Sequence, residues 1–360
     1  MKNTKTVGVN PESNLLEIVS RSYANSAAEV MQQNSVFNTK RKQRMKNTRN
    51  TKARKTVPVF FASDDNYVPF LTVAIHSMKK NASKSFDYKV YVLHSGLNGK
   101  DAETLMDLSE DWFEVKFVDV SEHIKRVAHF LHLRDYYTDA IYYRLFIVGM
   151  FPEYDKALYL DSDLVVLGDV AELYSTELGN NFIGAISDQA VAAVPAFRDY
   201  TKNALGIEAE KYFNSGVILM NLKKFREENF YEKFYSVLSS YSFIVAPDQD
   251  CLNLLCKGKV KYFSSDWNKM PILGVCGNTP KIVHYNLAQK PWHYEGVAYE
   301  EIFWEYAKET AFFERILENR AAFTPEMAKR DEEGGAKLIA LAQSEAENEN
   351  NYIRTLGKNN

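Results

Sequence analysis

From Val57 onward, apolar residues fall alternately into short continuous runs and into helical spacing. Val57–Ala62 is an apolar run closed by Ser63-Asp64-Asp65-Asn66-Tyr67, and Val68–Lys80 then carries apolar residues three and four apart. A buried strand feeding a helix has this pattern. The same reading predicts strands at Tyr88–Leu93 and Glu114–Val118 with a helix over Asp101–Glu110 between them. A helix over Asp139–Val148, a strand at Ala157–Leu160, a helix near Val170–Tyr174 and strands at Phe182–Ile186 and Tyr212–Met220 follow. Asn221 is placed to cap a helix reaching about Tyr241, and Pro247 opens another. Val260–Phe263 and Ile282–Val283 read as further strands, Tyr299–Phe323 as an aromatic-rich helix and Met327–Glu345 as an exposed one with a frayed end. Repeated strand–helix alternation builds an α/β domain around a largely parallel sheet, and such sheets bind ligands at their carboxyl edge.

Ahead of this domain the pattern is different. Residues 1–56 are polar, rich in Asn and Thr, and strongly basic between Lys40 and Lys55. Apolar patches at Leu15–Val19 and Ala27–Met31 could form a short helix, but the basic run reads as solvated and largely disordered. Its functional alternative is peripheral contact of residues 40–55 with an anionic membrane, where each Lys or Arg would contribute about 1 kcal/mol. The expected division is therefore 1–56 as a basic segment, 57–295 as the α/β domain and 296–360 as a helical C-terminal extension.

Composition narrows the picture. A hydrophobic fraction of 46% over 360 residues can fill a large core. A net charge of −3 supplies no general field for a polyanion, so a nucleic-acid partner is not expected. Cys251, Cys256 and Cys276 form no Cys-x-x-Cys pair, and residues 1–10 contain no apolar signal core. Both features, with apolar stretches too short to span a bilayer, suit a cytoplasmic protein, peripheral at the inner membrane face if the basic run docks.

The candidate chemistry centres on Leu160-Asp161-Ser162-Asp163. Residues two apart on an extended chain point the same way, so Asp161 and Asp163 can approach one cation from the end of a buried strand. Taken alone, the pair reads equally well as a polar turn or helix cap before Gly168. About one Asp-x-Asp is expected by chance in a chain this long, and Asp248-Gln249-Asp250 is a second. In Phe213-Asn214-Ser215-Gly216-Val217 a polar triplet interrupts an apolar strand, and its Gly suggests a bulge or a close approach of backbone to a ligand. No Gly-x-Gly-x-x-Gly follows the first strand and no Gly-Lys-Ser/Thr loop occurs, which disfavours a dinucleotide dehydrogenase and a P-loop ATPase. Two-metal phosphoester hydrolysis would need more clustered carboxylates than this edge supplies.

Six segments in order carry a resemblance: Phe61–Tyr67, Tyr143-Arg144-Leu145, Leu160–Asp163, Tyr212–Val217, Asp248–Asp250 with Leu252-Asn253, and His284-Tyr285 with Lys290-Pro291-Trp292-His293. Over about Val57 to His293 the chain resembles the family 8 retaining glycosyltransferases, which include bacterial lipooligosaccharide galactosyltransferases and glycogenin. The resemblance implies a GT-A fold, a Rossmann-like mixed, mostly parallel sheet flanked by helices. It also implies a UDP-hexose donor, a glycan, glycolipid or glycoprotein acceptor, and Mn²⁺, with Mg²⁺ as the alternative.

Residue by residue, Asp161, Asp163 and His284 match the family's metal ligands. Two carboxylates, an imidazole and diphosphate oxygens suit Mn²⁺ better than Ca²⁺. Lys290 matches a phosphate contact, although His284 by itself reads more simply as a half-buried strand-end histidine. Ala62, Asp64, Asn66 and Tyr67 match the nucleoside pocket, where Tyr67 would stack on the base, Asp64 accept from it and Asn66 bind ribose; without the family, Asp64–Asn66 is a helix cap. Arg144, Asp161, Ser162, Asp188, Asn214 and Ser215 complete the donor set, with Arg144 otherwise readable as a structural ion-pair partner. Asp248 and Gln249 match the catalytic positions. Because an amide is a poor nucleophile, front-face substitution is favoured, with double displacement through Asp188 or Asp248 as the alternative. Asn286-Leu287 stands where the family often has Gly, which puts backbone contacts to the diphosphate in doubt. Acceptor choice is assigned to variable loops such as Arg126–Tyr137. Glucose and galactose are not separated by these residues. A non-catalytic nucleotide-sugar-binding or stress-associated protein on the same fold is the competing function.

Overall fold

The structure, a computed structural model, describes residues 54–127, 139–272, 279–286 and 288–356. Residues 1–53, and with them most of the basic run and its expected membrane contact, lie outside the described residues, as does all but the start of the loop Arg126–Tyr137 and the last four residues of the chain.

Seven strands form one sheet in the order β3-β2-β1-β4-β7-β6-β8. They are β1 Lys55–Ala62, β2 Phe86–His94, β3 Phe113–Asp119, β4 Ala157–Leu160, β6 Ile183–Ser187, β7 Phe213–Met220 and β8 Val260–Tyr262. β1 pairs in parallel with both β2 and β4, β2 with β3, and β6 with β8, whereas β7 runs antiparallel between β4 and β6. β1, β4 and β7 are buried on both faces, which is why they read as continuous apolar runs rather than alternating ones. Phe60, Tyr159 and Ile218 face one core layer, and Phe61, Leu158 and Leu219 the other.

A second, two-stranded sheet pairs β5 Leu164–Val166 with β9 Ile282–His284 in antiparallel register, Leu164 opposite His284. β5 was not expected as a separate strand. Asp161–Asp163 makes a corner at the end of β4, and the chain re-enters extended structure only because β9, over a hundred residues later, offers it a partner.

Several helices differ from the sequence pattern. The helix expected from Asn221 to Tyr241 is two, Leu222–Glu227 and Phe230–Ser240, broken at Asn229 with φ of 53°. Asn is among the few residues that tolerate the left-handed region, so the break is cheap there. Asn221 does cap the first, accepting from Lys224 N–H at 3.1 Å. The aromatic-rich segment is likewise two helices, Glu300–Ala307 and Phe313–Ala322, because the turn between them presents Glu309 to His76 and Lys80. The helix expected over Asp101–Glu110 is Gly99–Met106, and Glu110 instead bridges Phe113. Short helices at Ser121–Val127, Gln189–Ala193 and Pro195–Asn203 had no clear apolar period to announce them.

The last long helix, Pro325–Glu347, is exposed for most of its length and buries Ala342, Glu345 and Ala346. A short helix, Tyr352–Leu356, follows, and Ile353 N–H donates to Ala204 C=O at 3.1 Å, tying this region back onto the domain. Among the described residues no helix is long and apolar enough to cross a membrane.

Candidate active site and metal centre

The carboxyl ends of β1 and β4 and the start of β7 open onto a cavity of about 400 Å³. Its lining includes Ala62, Asp64, Tyr67, Arg144, Asp161, Ser162, Asp163, Asp188, Asn214, Ser215, Asp248, Gln249 and Lys290, all expected from sequence. Asn66 is exposed and does not line it. His284 is fully buried behind the acids rather than on the cavity wall.

β4 ends at Leu160, opposite Val217, and Asp161 N–H donates to Gly216 C=O at 2.8 Å. Where β7 carries Asn214-Ser215-Gly216, its register against β6 shifts between Ala185 and Ile186. The polar triplet is thus the expected bulge, and it turns two polar side chains into the cavity. The close approach expected at Gly216 comes from the protein's own site: a Cβ there would lie 2.3 Å from Asp161 Oδ2 and 2.3 Å from His284 Cε1.

Around that glycine, one ligand atom each from Asp161, Asp163 and His284 lie within 4.8 Å of one another. His284 Nε2 is 3.0 Å from Asp163 Oδ1 and 3.6 Å from Asp161 Oδ2. Two carboxylates and an imidazole converging on one point fit a divalent first-row ion. Pairing of β5 with β9 brings them together, and Tyr285 N–H donates to Asp163 C=O at 2.9 Å.

The acids are surrounded by cations. Lys290 Nζ donates to Asp163 Oδ2 at 2.6 Å and also to Tyr285 C=O. Burial alone would raise the Asp163 pKa, but the Lys290 charge and His284 outweigh it and hold the carboxyl well below the usual range. On the other side, Arg144 Nη2 and Tyr159 Oη each donate to Asp161 Oδ1 at 3.0 Å. Arg144 also donates through Nη1 to Ser215 C=O at 2.6 Å, lies 3.3 Å through Nε from Asp248 Oδ2, and stacks over the Tyr159 ring. It is at once the expected cavity residue and the structural ion-pair partner, since it bridges the β4 acid to the Asp248 helix.

That helix, Pro247–Leu255, is clamped to β7 by Asn253, whose Oδ1 accepts from Phe213 N–H and whose Nδ2 donates to Phe213 C=O, each at 2.8 Å. The clamp places Gln249 Oε1 2.9 Å from Ser215 N–H, and Gln249 Nε2 donates to Asp188 Oδ2 at 3.2 Å. Asp188 caps the helix Gln189–Ala193 through Oδ1, accepting from Ala190 and Val191 N–H, and takes Asn214 Nδ2 on Oδ2 at 3.0 Å. Burial raises the Asp248 pKa, and Arg144 works against the rise. Beyond the end of β1, Asp64 Oδ1 accepts from Asn66 and Tyr67 N–H in the turn ahead of the helix Val68–Asn81, whose N-cap Tyr67 makes no side-chain cap bond, so the expected helix cap is not formed; Ser162 Oγ donates to Ala62 C=O at 2.6 Å.

Sequence reasoning missed several residues. Asn268 sits against His284 Nδ1 at 2.9 Å, and Leu338 of the last long helix reaches the cavity wall. Both come from segments with no motif. Behind the site, Asp250 is wholly buried, accepting from Tyr212 Oη at 2.6 Å, Tyr200 Oη at 2.8 Å and Ala246 N–H at 3.0 Å. Burial outweighs these bonds and raises its pKa to about 7. A folded pKa above the unfolded one means that the native state keeps a proton the unfolded chain releases, so this contribution to stability falls as pH rises from about 4 to about 7. Between pH 5 and pH 8 the wild type should therefore lose on the order of 2 kcal/mol more than Asp250→Asn in urea unfolding. Equal losses would mean that Asp250 is ionised inside.

Comparison with known proteins bears on this geometry. The family model described as glycosyl transferase family 8 matches residues 58–296. A candidate glycosyltransferase of Haemophilus influenzae is 30% identical over 250 residues, spanning 66% of this chain and 74% of the relative. The lipopolysaccharide 1,2-glucosyltransferase of Escherichia coli is 27% identical over 261 residues, 67% of this chain and 74% of that protein. Among solved structures, the galactosyltransferase LgtC in complex with donor and acceptor sugar analogs superimposes with a TM-score of 0.60 at 28% identity, covering 71% of this chain and 96% of the other. The sheet with its antiparallel β7 is thus that of a GT-A glycosyltransferase fold, and the chain belongs to glycosyl transferase family 8.

Proposed function

We infer that this protein is a metal-dependent retaining hexosyltransferase that moves glucose or galactose from a UDP-sugar to a glycan, glycolipid or glycoprotein acceptor of the cell surface. The convergence of Asp161 and Asp163 on the cavity wall with His284 buried behind them, within 4.8 Å of one another, carries this reading. Asp161, Asp163 and His284 would hold Mn²⁺, with Mg²⁺ as the substitute, and the ion supplies positive charge to a departing diphosphate. Cytoplasmic location, with residues 40–55 against an anionic inner-membrane surface, belongs to the same proposal.

This chain's own residues do the rest. Lys290, beside Asp163, adds a second charge on the phosphate side. Tyr67 and Asp64 border the nucleoside end, and Arg144, Asp188, Asn214, Ser215 and Asp248 the sugar end. In the transfer, the bond between the anomeric carbon and the phosphate oxygen breaks, the acceptor oxygen bonds the same face of that carbon, and its proton goes to the leaving phosphate. Asp188 offers little as a nucleophile, because its two oxygens already accept from Ala190 and Val191 N–H, Asn214 and Gln249. Gln249 is held by Ser215 N–H with its carbonyl dipole fixed, a preorganised group for the positive charge that develops on the sugar.

A screen for UDP release over several nucleotide sugars, each with Mn²⁺ and with Mg²⁺, tests donor and metal together. One UDP-hexose should stand out, and its turnover should vanish with chelator. Donor binding without any UDP release across the panel would refute the catalytic reading.

A further inference from the structure

His284 can serve a cation only in one proton arrangement. Its Nε2 faces Asp161 and Asp163, so with a cation between them that nitrogen would present a lone pair and the ring proton would sit on Nδ1. A chain of amides sets this order, and two of its groups admit a single role. Asp188 Oδ2 accepts from Asn214 Nδ2 at 3.0 Å, and the Gly216 N–H, which can only donate, gives its proton to Asn214 Oδ1 at 3.0 Å. Asn214 is thereby oriented with its oxygen toward Asn268, whose Nδ2 donates to it at 2.9 Å. That leaves Asn268 Oδ1, an acceptor, facing His284 Nδ1 at 2.9 Å.

Asn268 is fully buried at the end of the short turn Ser265–Asn268. Its own C=O accepts from Gln189 Nε2 at 3.0 Å, and the next residue, Lys269, exchanges backbone hydrogen bonds with β9 at Ile282 and His284. The turn is thus stitched to the strand that carries the histidine.

We propose that Asn268 is a positioning residue for the cation site, holding His284 as the Nδ1–H form and tying it through Asn214 to Asp188 and Gln249 on the sugar side. The proposal rests on the cation reading above. It extends the site by a residue whose backbone belongs to a turn rather than to either sheet, and it links metal affinity to the donor-sugar pocket through one amide.

The test is Mn²⁺ binding in the presence of UDP, followed by electron paramagnetic resonance of the free ion, on the full chain. Asn268→Leu should weaken Mn²⁺ binding by about 10–100-fold, the usual cost of losing a partner of a ligating histidine. Asn268→Asp keeps an acceptor for Nδ1–H and should restore most of that affinity, while its lost donor to Asn214 lowers kcat with UDP-hexose. If Asn268→Leu does not fold, Asn268→Ser, which falls short of Nδ1, takes its place in the comparison. Tight Mn²⁺ binding by the Leu or Ser variant, or an Asp variant no better than these, overturns the proposal. Asp163→Asn separates the two readings: a wild type that binds no Mn²⁺ refutes the cation site itself. If Mn²⁺ is lost in Asp163→Asn but unchanged in Asn268→Leu, only the role of Asn268 fails.

Discussion

Replacing Asp163 by Asn should lower sugar transfer by at least about 10³-fold, a barrier change of about 4 kcal/mol, within the several kcal/mol a bound cation supplies. The substitution keeps the shape of the side chain and the Asp163 C=O that accepts from Tyr285 N–H, so the β5–β9 pairing survives. What changes is charge. Asp163 lies 3.0 Å from His284 Nε2 and accepts from Lys290 Nζ at 2.6 Å. The Lys290 charge and His284 outweigh burial and hold its carboxyl well below the usual range. An amide there offers a cation one neutral oxygen and leaves the buried Lys290 without its anion, so the melting temperature should also fall, while the far-ultraviolet circular dichroism stays that of the wild type. Normal turnover in Asp163→Asn would remove the cation from the account.

Gly216→Ala is the second large effect, and it involves no charge at all. The added methyl would sit 2.3 Å from both Asp161 Oδ2 and His284 Cε1, where ordinary contact begins at 3.4 Å. Neither neighbour can yield easily: Asp161 Oδ1 is held by Arg144 and Tyr159, and His284 is buried against Asn268. Gly216 is not among the glycines with positive φ, so the cost is one of space rather than backbone strain. Relieving the overlap moves two ligand-bearing side chains apart by about an ångström, a displacement that at a reacting centre costs about 10²-fold in rate. Overpacking of this kind also costs about 1–3 kcal/mol of stability. Mn²⁺ titration and thermal unfolding of the variant read the two parts separately. A folded Gly216→Ala with full activity would show that Asp161 and His284 need not meet.

The sheet was legible because its central strands are buried on both faces. A chain segment that must exclude water on both sides has to be apolar throughout, so β1, β4 and β7 announce themselves as runs ending in Asp64, Asp161 and Asn221. The carboxyl ends of β1 and β4, and therefore the region of the site, follow from the pattern, whereas the antiparallel β7 reaches the site with its start at Asn214 and Ser215. Legibility failed where the determining contact is distant. β5 is three residues long and exists by virtue of β9, while the break at Glu309 depends on His76 and Lys80 from the second half of the first helix.

The same division runs through the site. The Asn-Ser-Gly interruption was visible by itself as a local departure from an apolar strand, whereas the paired acids, the histidine and the Asp-Gln pair were nominated by the order and spacing of six segments through the family resemblance. Tertiary structure alone decided that Gly216 makes room for Asp161 and His284 rather than for a ligand, that Asn66 stays outside the cavity, and that Asn268 stands behind the histidine. Excluded volume and hydrogen-bond direction are properties of pairs brought together by folding, and no stretch of sequence contains both members.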